Sequence, residues 1–210
     1  MTQEELNKEM NEAIVERNLQ AIRILIKLGV DPNFRCIGEI IEDLGYPSWM
    51  AVQFKNITPL HVSGRDPSLV KMLIDAGADV NAKDDFGNTP SFDGYVVNES
   101  LELLIKAGAD VNATPNHRTS LLIHAVRRKY EDMIQTLINA GADLNLQDYA
   151  KNTALHCAVE QNSKSLVQIL IEAGADITLQ NKDGKTPMDL AKTKTLRTFI
   201  ENLLKDKALA

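Results

Sequence analysis

The tetrapeptide Ala-Gly-Ala-Asp occurs four times in this chain at almost constant spacing, and no other feature limits the possible folds so strongly. Its glycines are Gly77, Gly108, Gly141 and Gly174, which lie 31, 33 and 33 residues apart. A fixed period of this length is the signature of a repeat architecture, in which each unit buries its apolar side only against its neighbours. The 210 residues are therefore expected to form one stacked domain rather than a single closed core.

A second motif, Thr-Pro-Leu-His, recurs with nearly the same period. It is complete at residues 58–61 and altered at residues 89–92, 120–123, 153–156 and 186–189. The two motifs keep their mutual spacing through most of the chain, from about Asn11 to about Leu204. On these motifs the chain resembles the ankyrin-repeat family.

The resemblance implies an all-α repeat fold, an ankyrin solenoid of about six helix-turn-helix repeats with projecting hairpin fingers. It also implies that His61 and His156, the last residues of their motifs, bond back to the turn backbone. The predicted single domain, 1–210, divides into repeats at 1–33 (N-terminal cap), 34–81 (with an insertion at 34–57), 82–112, 113–145, 146–178 and 179–210 (C-terminal cap).

The fifth repeat shows how the local sequence specifies each unit. Thr153 stands where an N-cap is needed, and its hydroxyl can accept an orphan backbone N–H of a short helix over 154–159. Apolar residues at helical spacing predict a second helix over 165–172. Gly174 is expected to end that helix, because a left-handed residue with a side chain costs about 1 kcal/mol or more.

The first finger contains an insertion, since Gly29 and Gly77 are 48 residues apart and the excess lies between Asn33 and Thr58. Within it, the stretch from Cys36 to Phe54 contains three aromatic residues, Tyr46, Trp49 and Phe54. Insertions into repeats often lie on the binding face, and aromatic residues are enriched in interface hot spots, so these three predict a recognition loop. The alternative is an apolar staple that folds back and stabilises the N-terminal end.

The second and third repeats are shorter than the others. Their intervals from motif to glycine span 19 residues where the fifth repeat has 21, and the missing residues are expected between the helices. In the second repeat, Asp66 and Pro67 are expected to begin the second helix as N-cap and first residue. In the third repeat, Gly94 predicts a short or irregular first helix, which is either tolerated or shapes a pocket on the concave side.

Composition excludes several classes of function. A net charge of -6 argues against nucleic-acid binding, because phosphate neutralisation requires a basic stripe. Cys36 and Cys157 lie 121 residues apart on different repeats, so both are expected to be free thiols in a reducing compartment. Without a basic and apolar leader or an apolar run of membrane length, we expect a cytoplasmic protein that binds no membrane. Polar caps predict a monomer, and no motif indicates a cofactor.

No catalytic or metal site is predicted. His156 and Cys157 are adjacent on a helix, where side chains point about 100° apart and cannot share a proton. His117 and His124 have no evident third partner for a metal ion. The alternative that stays open is an unrecognised enzyme using His117, His124 and Cys157. The repeated aspartates of Ala-Gly-Ala-Asp predict backbone hydrogen bonding rather than acid–base catalysis.

In the ankyrin family the variable positions flank the finger turn and the exposed side of the first helix, on the concave face. The resemblance therefore implies a partner-binding set of Asp85, Phe86, Asn88, Asp93, Asn116, His117, His124, Arg127, Arg128, Tyr149, Asn152, Glu160 and Lys182.

Charge varies along the chain, with -4 over residues 82–112 and +1 over residues 113–145. One basic cluster consists of Arg118, Arg127, Arg128 and Lys129. With Phe86 and Tyr149 on neighbouring fingers, this cluster would suit an acidic and partly apolar patch on a partner. Alternatively, residues 127–129 only solvate the loop between two helices.

We therefore expect a non-enzymatic protein–protein interaction module that binds an unidentified protein through its concave face, as an adaptor, inhibitor or scaffold. An alternative is a bacterial or viral effector that captures a host protein in the host cytosol. Asn81, Asn112 and Asn145 resemble asparagines that are hydroxylated in ankyrin repeats of animals, although these residues are also expected to cap the finger turns.

Overall fold

The computed structural model describes residues 1–35, 56–92, 96–116 and 118–208, and within those ranges it contains helices and turns but no strand. The chain divides into two compact units, residues 1–110 and 111–210. That the chain forms one domain composed of six repeats stays a prediction.

The first unit contains four α-helices and two short 3-10 helices among its described residues. The α-helices are α1 (Gln3–Val15), α2 (Leu19–Lys27), α3 (Pro67–Asp75) and α4 (Asn98–Lys106). The 3-10 helices are Pro59–Val62 and Pro90–Phe92.

The second unit contains five α-helices and one 3-10 helix among its described residues. The α-helices are α5 (Leu121–Arg128), α6 (Glu131–Asn139), α7 (Ala154–Glu160), α8 (Lys164–Ala173) and α9 (Lys194–Ala208). The 3-10 helix is Met188–Leu190.

The core of each unit is built from aliphatic side chains of paired helices. In the first unit the fully buried residues include Met10, Ile14, Ile22, Leu60, Val70, Leu73 and Leu104. In the second they include Leu122, Ile134, Leu137, Leu155, Leu166, Leu170 and Ile200. Each such side chain stabilises the fold by about 1.5–3 kcal/mol relative to exposure, so burial drives the stacking.

The fifth repeat confirms its sequence-based reading to within one residue at each helix end. Thr153 caps α7 and its hydroxyl accepts the backbone N–H of His156 at 3.4 Å. Gly174 ends α8 with a φ of 102°, which a residue with a side chain rarely adopts.

In the second repeat the shortening lies in the first helix and not between the helices as expected, because this element is a single 3-10 turn. The third repeat has a 3-10 turn at Pro90–Phe92, in agreement with the short or irregular first helix that Gly94 predicts, and residues 93–95 lie outside the described residues. A Cβ on Gly64 would lie 2.6 Å from Val96 Cγ2, so the chain after the second repeat's turn packs directly against the third repeat. Asp66 caps α3 as predicted, accepting the N–H of Ser68 at 3.0 Å.

Asparagine side chains join each repeat to the next. Asn81 donates to the carbonyl of Gly108 at 3.0 Å and accepts the N–H of Asp110 at 2.8 Å. Asn33 makes the same pair of bonds across the insertion, with Gly77 at 3.2 Å and Asp79 at 2.7 Å. In the second unit, the corresponding bonds run from Asn112 to Gly141 and Asp143, and from Asn145 to Asp176.

The repeated aspartates bond to the backbone, as predicted. Asp79 accepts the N–H of Asn81 at 2.9 Å, and Asp143 accepts that of Asn145 at 2.8 Å. Each aspartate therefore orients the asparagine that reaches the next repeat.

Two histidines form a second type of link between repeats. Nδ1 of His61 accepts the N–H of Thr58 at 3.1 Å, and its Nε2 lies 3.1 Å from the carbonyl of Asn88 in the next finger. His156 lies between Thr153 (3.1 Å) and the carbonyl of Lys185 (3.0 Å). Because a backbone N–H can only donate, Nδ1 is unprotonated and Nε2–H donates to the carbonyl. The predicted structural role of both histidines is confirmed.

The sixth repeat has an aspartate in place of this histidine. Asp189 accepts the backbone N–H of Thr186 at 2.9 Å and its hydroxyl at 2.8 Å. The same hydrogen bonds lower the pKa of the Asp189 carboxyl. The element that follows is α9 and not another finger. The side chain at position 189 therefore needs to accept hydrogen bonds from its own repeat but not to donate one to a next finger.

The two histidine links predict acid sensitivity. Burial lowers the pKa of His61 and of His156 below the ordinary value of 6.5. Below pH 6.5 the unfolded chain therefore binds protons that the folded chain excludes, and stability that is complete above pH 6.5 falls as the pH drops toward the folded pKa. We expect the urea midpoint to fall more between about pH 7.5 and about pH 5.5 in the wild type than in a His61→Gln/His156→Gln variant. Equal pH dependence in the two proteins would contradict this assignment.

The asparagine links predict a measurable loss of stability on truncation. Asn81→Ala removes two hydrogen bonds between repeats and is expected to lower the free energy of unfolding by about 1–2 kcal/mol. The control is Asn7→Ala on α1, a half-buried side chain that bonds to Gln3 of the same helix, where the expected change is within about 0.5 kcal/mol. Urea unfolding of both variants measures the difference, and equal losses would argue against a linking role.

Candidate functional site

The finger turns are held by a polar side chain at their first position. Asp148 accepts the backbone N–H groups of Ala150 and Asn152, each at 2.8 Å. Asp84 makes the corresponding bonds in the third repeat at 2.9 and 2.8 Å. In the sixth repeat Asn181 makes them at 2.9 and 3.1 Å. These turns fix the backbone from which the candidate binding residues project.

The fourth residue of each turn has a left-handed backbone. Its φ is 75° at Gly87, 58° at Lys151, 72° at Gly184 and 57° at Arg118. The fourth finger, with Arg118, has Pro115 at its first position and so lacks the side-chain acceptor of the others. In its turn the N–H of Arg118 donates to the carbonyl of Pro115 at 2.8 Å.

The fifth and sixth fingers are bonded side by side in the second unit. Three hydrogen bonds join them: Lys182 N to Ala150 O (2.9 Å), Asn181 Nδ2 to Asn152 Oδ1 (3.1 Å) and Gln147 Nε2 to Gln180 O (3.0 Å). The predicted binding residue Asn152 is thus used to hold the neighbouring finger.

Two of the predicted binding residues meet at the tips of these fingers. Tyr149 is 74% exposed, and Lys182 Nζ lies 3.6 Å from the centre of its ring. An exposed cation–π contact of this kind is worth about 0.5–1 kcal/mol. The contact orients a large, solvent-facing aromatic ring beside a positive charge.

Arg127 connects the fourth repeat to the fifth. Its guanidinium donates to the carboxylate of Asp148, whose side chain is 5% exposed, while the Arg127 side chain is 45% exposed. The fourth repeat has Ile123 where the second and fifth have a histidine, so Arg127 supplies the link to the next finger that Ile123 cannot make. One predicted binding residue therefore also has a structural role.

The surroundings of Cys157 do not activate its thiol. Burial raises the pKa of Cys157, although the nearby guanidinium of Arg127 opposes the shift. Both ring nitrogens of His156 are bonded to Thr153 and to the Lys185 carbonyl, so the adjacent histidine cannot serve as its base. The thiol therefore stays protonated at neutral pH.

Two other histidines belong to the enzyme alternative. His124 is half-buried on α5, and His117 lies outside the described residues. Among the described residues, no three His, Cys, Asp or Glu side chains form a group that could hold a metal ion.

Two candidates of the third repeat, Asp85 and Asn88, make side-chain hydrogen bonds, and Asp85 bonds to a residue that flanks the insertion. Asn88 donates from its side chain to Asp84 at 2.8 Å, while Asp85 accepts from Asn56. Arg35, on the other side of the insertion, donates to the Asn56 carbonyl. The sequence reading missed both flanking residues, because their partners in the third finger lie 29 and 48 residues away.

The remaining candidates are either exposed or outside the described residues. Asn116, Arg128 and Glu160 are exposed, and Phe86 is 36% exposed. Asp93, Cys36 and the insertion residues Tyr46, Trp49 and Phe54 lie outside the described ranges.

Comparison with known proteins identifies the family. A family model for ankyrin repeats in three copies matches residues 60–148 and 122–209, more than half of the chain. The chain therefore belongs to the ankyrin-repeat family, and the predicted family and fold class are confirmed.

The chain is also similar to a solved ankyrin repeat domain and to a regulatory subunit from two organisms. The ankyrin repeat domain of Bcl-3, described as a unique member of the IkappaB protein family, matches with a TM-score of 0.69 and 26% identity, covering 92% of this chain and 97% of that one. Protein phosphatase 1 regulatory subunit 27 of Homo sapiens and of Mus musculus is 31% identical over 84 residues, 39% of this chain. The chain matches only 44% of the length of those relatives. No helix in the described ranges is both long and apolar enough to span a membrane.

Substitutions at Asp148 separate the turn bonds from the ion pair with Arg127. Asp148→Ala is expected to lower the free energy of unfolding by about 2–3 kcal/mol, because two backbone N–H groups lose their acceptor. Asp148→Asn is expected to cost less, since Asn181 holds the same turn with an amide. Asp183→Ala on the sixth finger is the control, with a change within about 0.5 kcal/mol. Equal losses for the alanine and asparagine variants in urea unfolding would show that the ion pair dominates.

Proposed function

We propose that this chain is a non-catalytic interaction module that binds a partner protein through its fingers and first helices, as an adaptor, inhibitor or scaffold. The observation that carries the proposal is Tyr149, a large aromatic ring that is exposed on hydrogen-bonded fingers and oriented by Lys182. Exposed tyrosines on rigid backbone are typical anchors of protein interfaces, because little side-chain entropy is lost on binding.

The relatives support the same class of function. One similar protein is a regulatory subunit of protein phosphatase 1, and another belongs to the IkappaB family. We propose by analogy that this chain acts on a partner by binding it. The analogy covers the class of function and not the identity of the partner. The cytoplasmic location and the monomeric state stay predictions from the sequence.

The test is site-specific photo-crosslinking followed by binding of the purified partner. A photoreactive phenylalanine analogue is placed at position 149 on the fifth finger or at position 168 on the exposed side of α8 in the same repeat. We expect a partner to be cross-linked from position 149 and not from position 168. The purified partner should then bind a Tyr149→Ala/Lys182→Ala variant at least about tenfold more weakly, a loss of about 1.4 kcal/mol.

The matched control is Gln168→Ala/Glu172→Ala on α8, two exposed side chains that bond to each other at 2.7 Å. This variant should bind the partner as the wild type does. A partner whose affinity falls for the α8 variant and not for the finger variant would overturn the proposed binding face. Circular dichroism of both variants confirms that the fold is retained.

A further inference from the structure

We infer that the finger surface of the second unit takes an acidic peptide segment of the partner, with an apolar side chain of that segment packed beside Tyr149. The finger surface is defined as the exposed residues of the fingers and first helices within 111–210. This inference rests on the proposed function and adds the chemical class of the ligand.

Charge in the second unit is segregated between its two kinds of helix. The fingers and first helices, residues 113–129, 146–161 and 179–190, carry seven basic and four acidic side chains. The second helices and the links after them, residues 130–145 and 162–178, carry one basic and five acidic side chains. The finger surface is therefore basic in a chain whose net charge is -6.

Two of the four acidic side chains in the fingers and first helices are already committed to the fold. Asp148 is buried and bonded to Arg127 and to its own turn. Asp189 accepts two hydrogen bonds from Thr186. The exposed acids that remain are Glu160 and Asp183.

Most of the basic side chains keep their charge available. Within the described ranges the only salt bridge on the finger surface is that of Arg127 with Asp148. Six exposed cations make no salt bridge with a described residue: Arg118, Arg128, Lys129, Lys151, Lys182 and Lys185. Charges left unpaired beside an exposed ring are complementary to carboxylates next to an apolar side chain.

The backbone of the fingers keeps these charges in place. Lys151 and Lys185 belong to turns that are closed by Asp148 and Asn181, and the two fingers are bonded to each other. Lys182 already lies against the ring of Tyr149, so cation and ring form one contact area. An extended acidic segment can meet both without reorganising the surface, which reduces the entropic cost of binding.

The charge of the whole chain favours a peptide over a nucleic acid. Residues 1–110 carry 10 basic and 18 acidic side chains, and this excess of negative charge repels a polyphosphate. A peptide with a few carboxylates needs only the local cations of the finger surface. The inference therefore commits to an acidic polypeptide.

The test selects ligands without assuming their sequence. A phage library of random 12-residue peptides is panned on the immobilised full chain, and selected peptides are measured in solution by fluorescence anisotropy at about 0.15 M salt. We expect the selected peptides to be net negative and to contain an aromatic or aliphatic residue. Tyr149→Ala should weaken their binding, and so should raised salt.

A charge-matched pair of variants locates the site. Arg128→Glu/Lys151→Glu should weaken peptide binding by at least about tenfold. Lys194→Glu/Lys205→Glu on α9, outside the finger surface, changes the net charge by the same amount and should alter binding less than about twofold, because charges that do not contact the peptide are screened by salt. Loss of binding in both variants alike would overturn the assigned surface.

Three further results would overturn the inference: no selected peptide, selected peptides that are neutral or basic, or a 12-nucleotide single-stranded oligonucleotide that binds more tightly than the peptides. The failure of this inference can be distinguished from the failure of the proposed function. A cross-linked partner that depends on Tyr149 and Lys182, but not on Arg128 and Lys151, keeps the interaction module and removes the acidic ligand.

Discussion

The stack depends on side chains that bond to the backbone of the following repeat. Buried aliphatic side chains favour stacking, but small aliphatic groups can pack in more than one register. The side-chain amide of Asn81 has a donor group at one end and an acceptor at the other, and it meets the carbonyl of Gly108 and the N–H of Asp110 in only one register. Asn33 makes the same two contacts across 44 and 46 residues, so the insertion leaves the register of the first unit unchanged.

Helix ends could be predicted because they depend on residues only a few positions apart. Thr153, Asp66 and Gly174 each act on their own helix, and each was readable from residue type and spacing. The short first helix of the second repeat was not readable in this way, whereas Gly94 predicts the short first helix of the third. In the second repeat the chain after the turn approaches Val96 of the third repeat at Gly64, a contact that residue spacing within one repeat does not show.

The candidate site was predictable as a set of positions but not as a set of contacts. Arg127 and Tyr149 both stand at variable positions of the repeat, yet Arg127 is bonded to Asp148 and Tyr149 is solvent-facing. The difference arises from the neighbouring repeat, which offers a buried carboxylate to one and a lysine to the other. A single repeat contains no information on that pairing, and the residues of the insertion and of position 117 lie outside the described structure.

The aspartate at position 189 makes the sixth repeat different from the second and fifth in how it can bond to a following repeat. A histidine at this place receives a bond from its own repeat and gives one to the next, whereas a carboxylate can only receive. A repeat with aspartate at this position therefore keeps the bond within its own turn, but it cannot donate the bond that a histidine gives to the next finger. An attempt to lengthen the array after the sixth repeat would need histidine at position 189 before any new finger could be attached by this link.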